Sequence, residues 1–432
     1  MLRPRFFLAP LALVAGVILA GSTLLSGAST DAASPTYEVW AFDQADTAEG
    51  GGGQLFIWDG HDLERHAGRA QPDVIDLAEL AAASEANCDL AQRPHMALPN
   101  HSDPPSHVIV ANVASGDVHF VNVDTRQIDG CVGGLGAAHA AVPDRDNEMI
   151  LVADIGGQTL HKISTDYDDG IYAKTEALFL GTHGVLDKLG TDTANPICHE
   201  FAASGLVYVT LSGGGLIVVD PGSDDGTTPM EVVHVYAAAD VPGVGCGAFP
   251  LKDGRMITNG ESGQFGGDDF LFVFDPPASP EGPFEPPVTI ELPGDDTHGV
   301  EICETPGGDL YAWTVMRVSN HINIIDLQTH EVVRTWSMDR PFSPDPKPDL
   351  AMAHGNSLFV TLRGPKPLTA ITALQNSDRV PAVAVLTMHR NCQTFNYGAK
   401  DVAPMPNPNT TVIDGVEVTT SDPHGLAIVP RE

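Results

Sequence analysis

The stretch Cys198-His199-Glu200-Phe201 is followed by two strongly apolar segments, Leu206-Val207-Tyr208-Val209-Thr210 and Leu216-Ile217-Val218-Val219-Asp220. Short apolar runs that are rich in valine, isoleucine and tyrosine, and that glycines separate, predict β-strands joined by tight turns. A further segment, Glu231–Tyr236, completes a unit of four strands. Four strands in a unit of about 40–50 residues are typical of one β-propeller blade.

The same order of segments repeats along the chain. Further units begin at the same point of the repeat, near His95, His139, Cys246, His298 and residue 350. The two ends are incomplete, because residues 37–77 supply three strands without a first and residues 424–429 supply only a first strand. Joined, they complete one blade and remove exposed strand edges that would invite aggregation. The sequence therefore predicts an all-β domain over residues 36–432, a seven-bladed β-propeller in which the C-terminal strand completes the N-terminal blade.

Two segments resemble the YVTN-type β-propeller repeat. Leu206-Val207-Tyr208-Val209-Thr210 corresponds to its Y-V-T/A-N strand, and Ile322-Asn323-Ile324-Ile325-Asp326 corresponds to its I-x-V-I-D strand. The resemblance spans roughly residues 36–430. It implies the fold, which hosts many unrelated chemistries, and it does not assign a function.

The first strand of each blade in this repeat lines the central channel, and alternate side chains of a strand face the same side. Side chains at the shared register therefore converge on the axis if the ring closes. They are His95, His139, His199, Cys246, His298, Asp349 and His424. His354, which Gly355 and Asn356 follow, is out of this register and is expected in the turn between two strands.

Converging imidazoles with a thiolate or carboxylate are ligands for zinc or copper. We therefore predict a transition-metal site on the axis, for zinc or alternatively copper. Because a zinc ion takes three or four ligands, adjacent blades favour His95, His139, His199 and His424. Cys246 is a ligand if it is reduced and a structural residue if it is paired. The alternative is that the histidines only form hydrogen bonds between blades and bind no metal.

The order of motifs also resembles extracytoplasmic zinc metallochaperone propellers of the AztD type. Those carry a C-x-x-x-H-G-E motif after H-H-G-V, and a G-x-V-x-V-x-D strand. Cys198-His199-Glu200, Ala138-His139-Ala140-Ala141-Val142 and residues 116–124 occupy these places here. The Cys–His spacing is contracted, and no His/Asp-rich N-terminal arm is present. The resemblance implies a metallochaperone or metal-buffering role, with a metal-transport or cell-surface protein as partner.

The net charge of the chain bears on its partners, and the N-terminal residues bear on where the protein is located. The formal net charge of −35, with only 22 Lys and Arg residues, excludes a nucleic-acid partner, because phosphate recognition needs a basic surface. Arg3 and Arg5 precede an apolar run that ends near Leu25, and small residues follow. This order predicts that residues 1–34 are a secretory signal or an uncleaved membrane anchor. Both place the propeller outside the cytoplasm, in the periplasm, at the cell surface or secreted, with membrane contact only through this segment.

Six cysteines in an extracytoplasmic chain predict up to three disulfides; they are residues 88, 131, 198, 246, 303 and 392. Cys88 and Cys131 are expected to pair because they bracket one blade. Cys198 is expected to face away from the metal site, where a disulfide is favoured.

Three functions stay open at this level: a metal carrier or buffer, a metal-free scaffold that binds a partner, and a copper- or divalent-metal-dependent enzyme. The Glu/Asp/Asn set of calcium-dependent lactonases does not occur in register. The G-x-S-x-G motif of serine hydrolases is also absent from the sequence. Binding is therefore favoured over catalysis, and no residue is assigned a catalytic or organic-cofactor role.

Overall fold

A computed structural model describes residues 36–46, 52–86, 88–89, 91–243, 245, 247–261, 269–368 and 374–431. Within them, seven antiparallel sheets of four or five strands form a seven-bladed β-propeller, which confirms the predicted fold. The proposed signal or anchor, residues 1–34, and Cys246 lie outside the described residues. Among the described residues, no helix has the length and apolarity needed to cross a membrane.

The strands are numbered in chain order, and blade 1 begins with the first three. They are β1 (Tyr37–Asp43), β2 (Gln54–Asp59) and β3 (Asp73–Asp76) in blade 1; β4 (Pro94–Pro99), β5 (His107–Asn112), β6 (Asp117–Asn122) and β7 (Ile128–Val132) in blade 2; β8 (Ala138–Pro143), β9 (Met149–Asp154), β10 (Thr159–Asp166) and β11 (Ile171–Phe179) in blade 3; and β12 (Pro196–Phe201), β13 (Val207–Leu211), β14 (Leu216–Asp220) and β15 (Glu231–Tyr236) in blade 4.

The remaining strands complete the ring. They are β16 (Ala248–Pro250), β17 (Met256–Gly260), β18 (Asp269–Phe274) and β19 (Val288–Leu292) in blade 5; β20 (Thr297–Glu304), β21 (Leu310–Met316), β22 (His321–Asp326) and β23 (Glu331–Ser337) in blade 6; β24 (Pro348–His354), β25 (Ser357–Leu362), β26 (Ala382–Met388), β27 (Phe395–Asn396) and β28 (Val402–Pro404) in blade 7; the hairpin β29 (Thr410–Ile413) and β30 (Val416–Thr419); and β31 (Pro423–Pro430) in blade 1.

Short helices occur only between strands in the described residues. They are α1 (Gly60–His66), α2 (Leu77–Ala83) and α3 (His183–Leu189), with single 3-10 turns at Ala67–Arg69 and Ala399–Asp401. Asp59 and Asp76 accept backbone N–H groups at the starts of α1 and α2, as N-cap residues do.

The chain ends meet in blade 1, as predicted. β31 pairs antiparallel with β1, so that Trp40 lies opposite Ala427 and Val39 lies opposite Ile428. The sheet order is β3-β2-β1-β31, which makes β31 the innermost strand of this blade. The last strand of the chain therefore closes the ring.

Apolar packing between blades explains why the inner strands are nearly continuous apolar runs. β9 and β13 are buried along their whole length, because neighbouring blades cover both faces. The outermost strand β11 is instead mostly exposed. Seven apolar clusters each join one pair of neighbouring blades; Trp313 with Leu358, for example, joins blades 6 and 7, and Tyr37 with Phe359 joins blades 7 and 1. Each such large buried side chain contributes about 1.5–3 kcal/mol.

Two disulfides are formed among the described residues. Cys88–Cys131 ties the segment after α2 to the outermost strand of blade 2, as predicted. Cys303–Cys392 joins β20 of blade 6 to the loop that follows β26 of blade 7. Both disulfides therefore cross-link neighbouring blades or the segments that connect them.

The prediction that His354 lies in a turn was wrong. It is the last residue of β24 and pairs with Ser357, so the turn contains only Gly355 and Asn356. Its ring packs on Tyr37, with the ring centroids 4.0 Å apart. This contact between blades 7 and 1 explains why the strand continues one residue further.

Deleting residues 423–432 should destroy cooperative folding, because it removes the innermost strand of blade 1 and exposes the edge of β1. Thermal unfolding and size-exclusion chromatography should show aggregation or a broadened transition. Deleting only residues 431–432 is the control, because it removes surface ion pairs worth at most about 1 kcal/mol. A ten-residue truncation that unfolds like the full chain would rule out this closure.

Opening either disulfide should lower the free energy of unfolding by roughly 4 kcal/mol, because the unfolded chain regains the entropy of a loop of 43 or 89 residues. C88S/C131S and C303S/C392S, measured by chemical denaturation, test this. Thiol labelling of the denatured, unreduced protein should find two thiols or fewer, and labelling after reduction should find six. Four or more thiols before reduction would contradict the pairing.

Candidate metal centre on the propeller axis

A β-bulge shapes the start of the innermost strand in six blades. After the first paired residue, one extra residue interrupts the register against the next strand, and we call this place the ring position. Bulges re-aim side chains and often occur beside functional sites. The ring positions hold His424 in blade 1, His95 in blade 2, His139 in blade 3, Ile197 in blade 4, His298 in blade 6 and Asp349 in blade 7.

The five polar residues at ring positions form one buried group, which we call the axial cluster: His95, His139, His298, Asp349 and His424. All are 9% exposed or less. Candidate ligand atoms of His298, Asp349 and His424 lie within 4.8 Å of one another. The ring of His424 lies at the centre, 3.8 Å from that of His95 and 5.5 Å from that of His298 between centroids.

His95 and His139 face each other through their Nε2 atoms, which are 2.8 Å apart. His95 Nδ1 donates to Gln44 Oε1, because the Gln44 amide nitrogen is already bonded to Asp422. His139 Nδ1 donates to the Ile197 carbonyl. A neutral imidazole carries only one N–H, so both Nε2 atoms present lone pairs to each other. This contact requires a shared proton or a cation between the rings.

Burial disfavours the proton. Burial, followed by the neighbouring His424 and His139, holds the pKa of His95 well below its usual value of 6.5. Burial likewise holds the pKa of His424 well below 6.5, although Asp349 opposes the shift. Neither ring nitrogen of His424 has a hydrogen-bond partner among the described residues. His95 and His424 are therefore neutral imidazoles at neutral pH, the form that transition metals bind.

Asp349 connects the cluster to buried arginines. Its carboxylate lies 2.9 Å from His298 Nδ1 and 3.9 Å from His424 Nε2. It also accepts from Arg363 at 2.8 Å and lies 3.4 Å from Arg317. Burial would raise the pKa of Asp349, but His424, Arg363 and His298 hold it well below 3.8. Asp349 is therefore a fixed carboxylate that can either bind a cation or orient His298.

His199 does not join the axial cluster. It lies two residues beyond the ring position of its blade, which Ile197 fills. Its Nε2 donates to the Leu151 carbonyl at 3.0 Å, and burial lowers the pKa of His199 to about 4. Its Nδ1 has no partner among the described residues. The structure therefore places His199 outside the axial cluster. Cys246, which was also predicted as a ligand, lies outside the described residues.

Sequence reasoning also missed the residues that hold the cluster. Gln44 orients His95, and Arg363 binds both Asp349 and Asp422. A signal for the register was present, because proline precedes the ring position in Pro94-His95, Pro348-Asp349 and Pro423-His424, and also in Pro196-Ile197. Aligning these dipeptides would have identified Ile197, rather than His199, as the residue of blade 4.

No protein-family model and no curated protein matches the chain. Among solved structures, a protein from Lactobacillus plantarum is similar with a TM-score of 0.59 and 10% identity, over 91% of this chain and 99% of that one. A 6-phosphogluconolactonase-like protein from Bacteroides fragilis is similar with a TM-score of 0.58 and 12% identity, over 92% and 98%. Apo AztD from Citrobacter koseri has a TM-score of 0.48 and 13% identity, over 91% and 98%. The first two likenesses support the propeller fold, and the match to AztD carries no argument.

The metal-free protein should lose stability as pH falls below about 6.5. The pKa values of His95 and His424 are lower in the folded than in the unfolded state, so the unfolded chain binds more protons in this range. Their contribution is complete above pH 6.5 and is lost as pH falls toward the folded pKa. Denaturation of chelator-treated protein between pH 8 and 5 should show a shallower loss for H95Q/H424Q. The control H183Q/H389Q, which changes exposed histidines, should keep the wild-type slope; equal slopes for both variants would contradict the assignment.

Proposed function

We propose that this protein binds a divalent transition-metal ion, zinc in preference to copper, at the axial cluster. The supporting observation is the pair of opposed Nε2 lone pairs on His95 and His139, 2.8 Å apart in a buried site. Two nitrogen ligands of one tetrahedral zinc ion lie about 3.3 Å apart, because each Zn–N bond is about 2.0–2.1 Å. A shared ion would turn this repulsion into two bonds.

His424 completes the proposed ligand set with His95 and His139. His424 lies between the two groups of donors, and its nitrogens have no competing partner among the described residues. Since zinc takes three or four ligands, the five residues exceed the need of a single ion. We propose His95, His139 and His424 as ligands, with His298 and Asp349 either completing the coordination or holding the rings. A carboxylate beside a ligating histidine commonly has the second role.

We further propose that the protein acts outside the cytoplasm as a carrier or buffer of this ion. Two disulfides among the described residues favour an oxidising compartment. The strongly acidic chain favours the approach of cations over anions. The motif resemblance to zinc metallochaperone propellers supports zinc as the cargo.

Elemental analysis of protein purified without a metal-affinity tag should find about one zinc ion per chain. H424A should weaken zinc binding by more than about a hundredfold, since even loss of a ligand's hydrogen-bond partner costs 10–100-fold. Far-UV circular dichroism should show that the fold is retained, because strand pairing and packing between blades hold the ring. Zinc affinity should fall in acid only as pH approaches the pKa values of His95 and His424, which burial holds well below 6.5, because binding requires neutral imidazole.

The matched control is H183A/H389A, which removes two exposed histidines and should bind zinc like the wild type. D349N distinguishes the two roles of Asp349. If Asp349 is a ligand, D349N should change stoichiometric zinc binding. If Asp349 only orients His298, the change in stoichiometric binding should be smaller. Wild-type protein that binds neither zinc nor copper at micromolar concentration and neutral pH would leave the metal-free scaffold as the better account.

A further inference from the structure

A cavity of about 120 Å³ lies along the channel beyond the axial cluster. Its walls include Met96, Gly299 and Leu350, each of which directly follows a cluster residue in its innermost strand. The innermost strands of equivalent blades run in the same direction along the axis. The cavity therefore occupies the end of the channel toward which these strands run, about one residue, or roughly 3.3 Å, past the cluster.

His199 lines this cavity. It is 2% exposed, and its Nε2 is committed to the Leu151 carbonyl. Because Nε2 carries the proton, Nδ1 carries a lone pair. Nδ1 has no hydrogen-bond partner among the described residues. His199 therefore adds to the cavity lining an imidazole lone pair that can bind a cation and that the axial cluster does not use.

Two carboxylates stand at the same level of the cavity. Glu200 and Glu301 each lie three residues past a ring position, Ile197 in blade 4 and His298 in blade 6, and both line the cavity. Each accepts the backbone N–H of the next residue, at 3.0 Å for Glu200 and 2.8 Å for Glu301. Burial raises the pKa of Glu200 and of Glu301 to about 7, so both side chains are mainly carboxylates only above that pH. We call this the glutamate end of the channel.

The opposite end is closed by ion pairs, and we call it the arginine end. Arg317 binds Asp296, and Arg363 binds Asp349 and Asp422. The three carboxylates are fully buried. The cavity at this end is about 10 Å³, close to the minimum that holds one water molecule. Among the described residues, this cavity is therefore much smaller than the one at the glutamate end.

We propose that the axial site is loaded and emptied through the glutamate end, with Glu200 and Glu301 attracting the ion and His199 Nδ1 binding it in transit. This rests on the proposed function. Between cavity and cluster, Met96 Sδ lies 3.8 Å from Cys198 Sγ across the channel. The flexible Met96 thioether is the side chain that must move to admit the ion.

Loading kinetics test the route. Zn²⁺ uptake by the metal-free protein is followed by stopped flow, through its loss from a fluorescent zinc chelator. At pH 8, where Glu200 and Glu301 are mainly ionised, E200Q/E301Q should load about tenfold more slowly, the lower range of electrostatic steering, while stoichiometry and equilibrium affinity stay within about twofold. H199A should slow both loading and chelator-driven release without changing stoichiometry. The control E291Q/E331Q removes two exposed carboxylates from outermost strands and should load like the wild type.

A block of each end provides a second test. M352C places a thiol in the cavity wall, and K366C places one at the exposed surface near the arginine end. A bulky maleimide on M352C should stop loading, whereas the same label on K366C should not; reagent-treated wild type gives the baseline. Wild-type loading rates in E200Q/E301Q and in labelled M352C would overturn the route while the metal site stands. Failure of wild-type protein to bind Zn²⁺ would instead overturn the proposed function.

Discussion

Apolar packing between neighbouring blades is the interaction on which the rest of the structure depends. A single four-stranded blade is apolar on both faces, so it cannot bury its surface alone. Trp313 of blade 6 needs Leu358 of blade 7, and the same holds around the whole ring. The ring must therefore close, and closure brings the innermost strands together at one axis. Convergence of the histidines follows from packing that occurs well away from them.

At the axis, hydrogen bonds and ion pairs between buried polar side chains replace apolar packing. Apolar side chains at the ring positions would be buried at lower free-energy cost than imidazoles and a carboxylate. The structure instead surrounds Asp349 with Arg363 and Arg317, and it orients His95 through Gln44. These partners stabilise the buried charges, yet they leave lone pairs opposed at the centre. The ring nitrogens of His424 have no hydrogen-bond partner among the described residues, which is consistent with the proposed metal site.

Most of the fold could be predicted from the sequence, because strand alternation and continuous apolar runs report burial directly. The closure of β1 by β31 followed from counting strands at the two ends. The cluster was predicted less well. His95, His139, His298, Asp349 and His424 converge, but His199 was aligned by residue type rather than by the proline that precedes the ring position. A bulge adds one residue to a strand and moves later side chains along the channel, so pattern matching cannot locate it without the pairing partner. Gln44 and Arg363 reach the site from the positions directly after β1 and β25, and no local pattern marks them.

Joining β31 to β1 also sets the timing of folding during protein synthesis. β1 leaves the ribosome near the start of the domain, and the strand that covers its inner edge is made last. Until then blade 1 lacks its innermost strand, and the interfaces of blade 1 with both neighbouring blades stay incomplete. The nascent chain cannot close the ring before β31 is made, so the native domain forms only after synthesis of the chain is complete. Until then the inner edge of β1 is unpaired, which makes it the part of the nascent domain most open to wrong strand pairing.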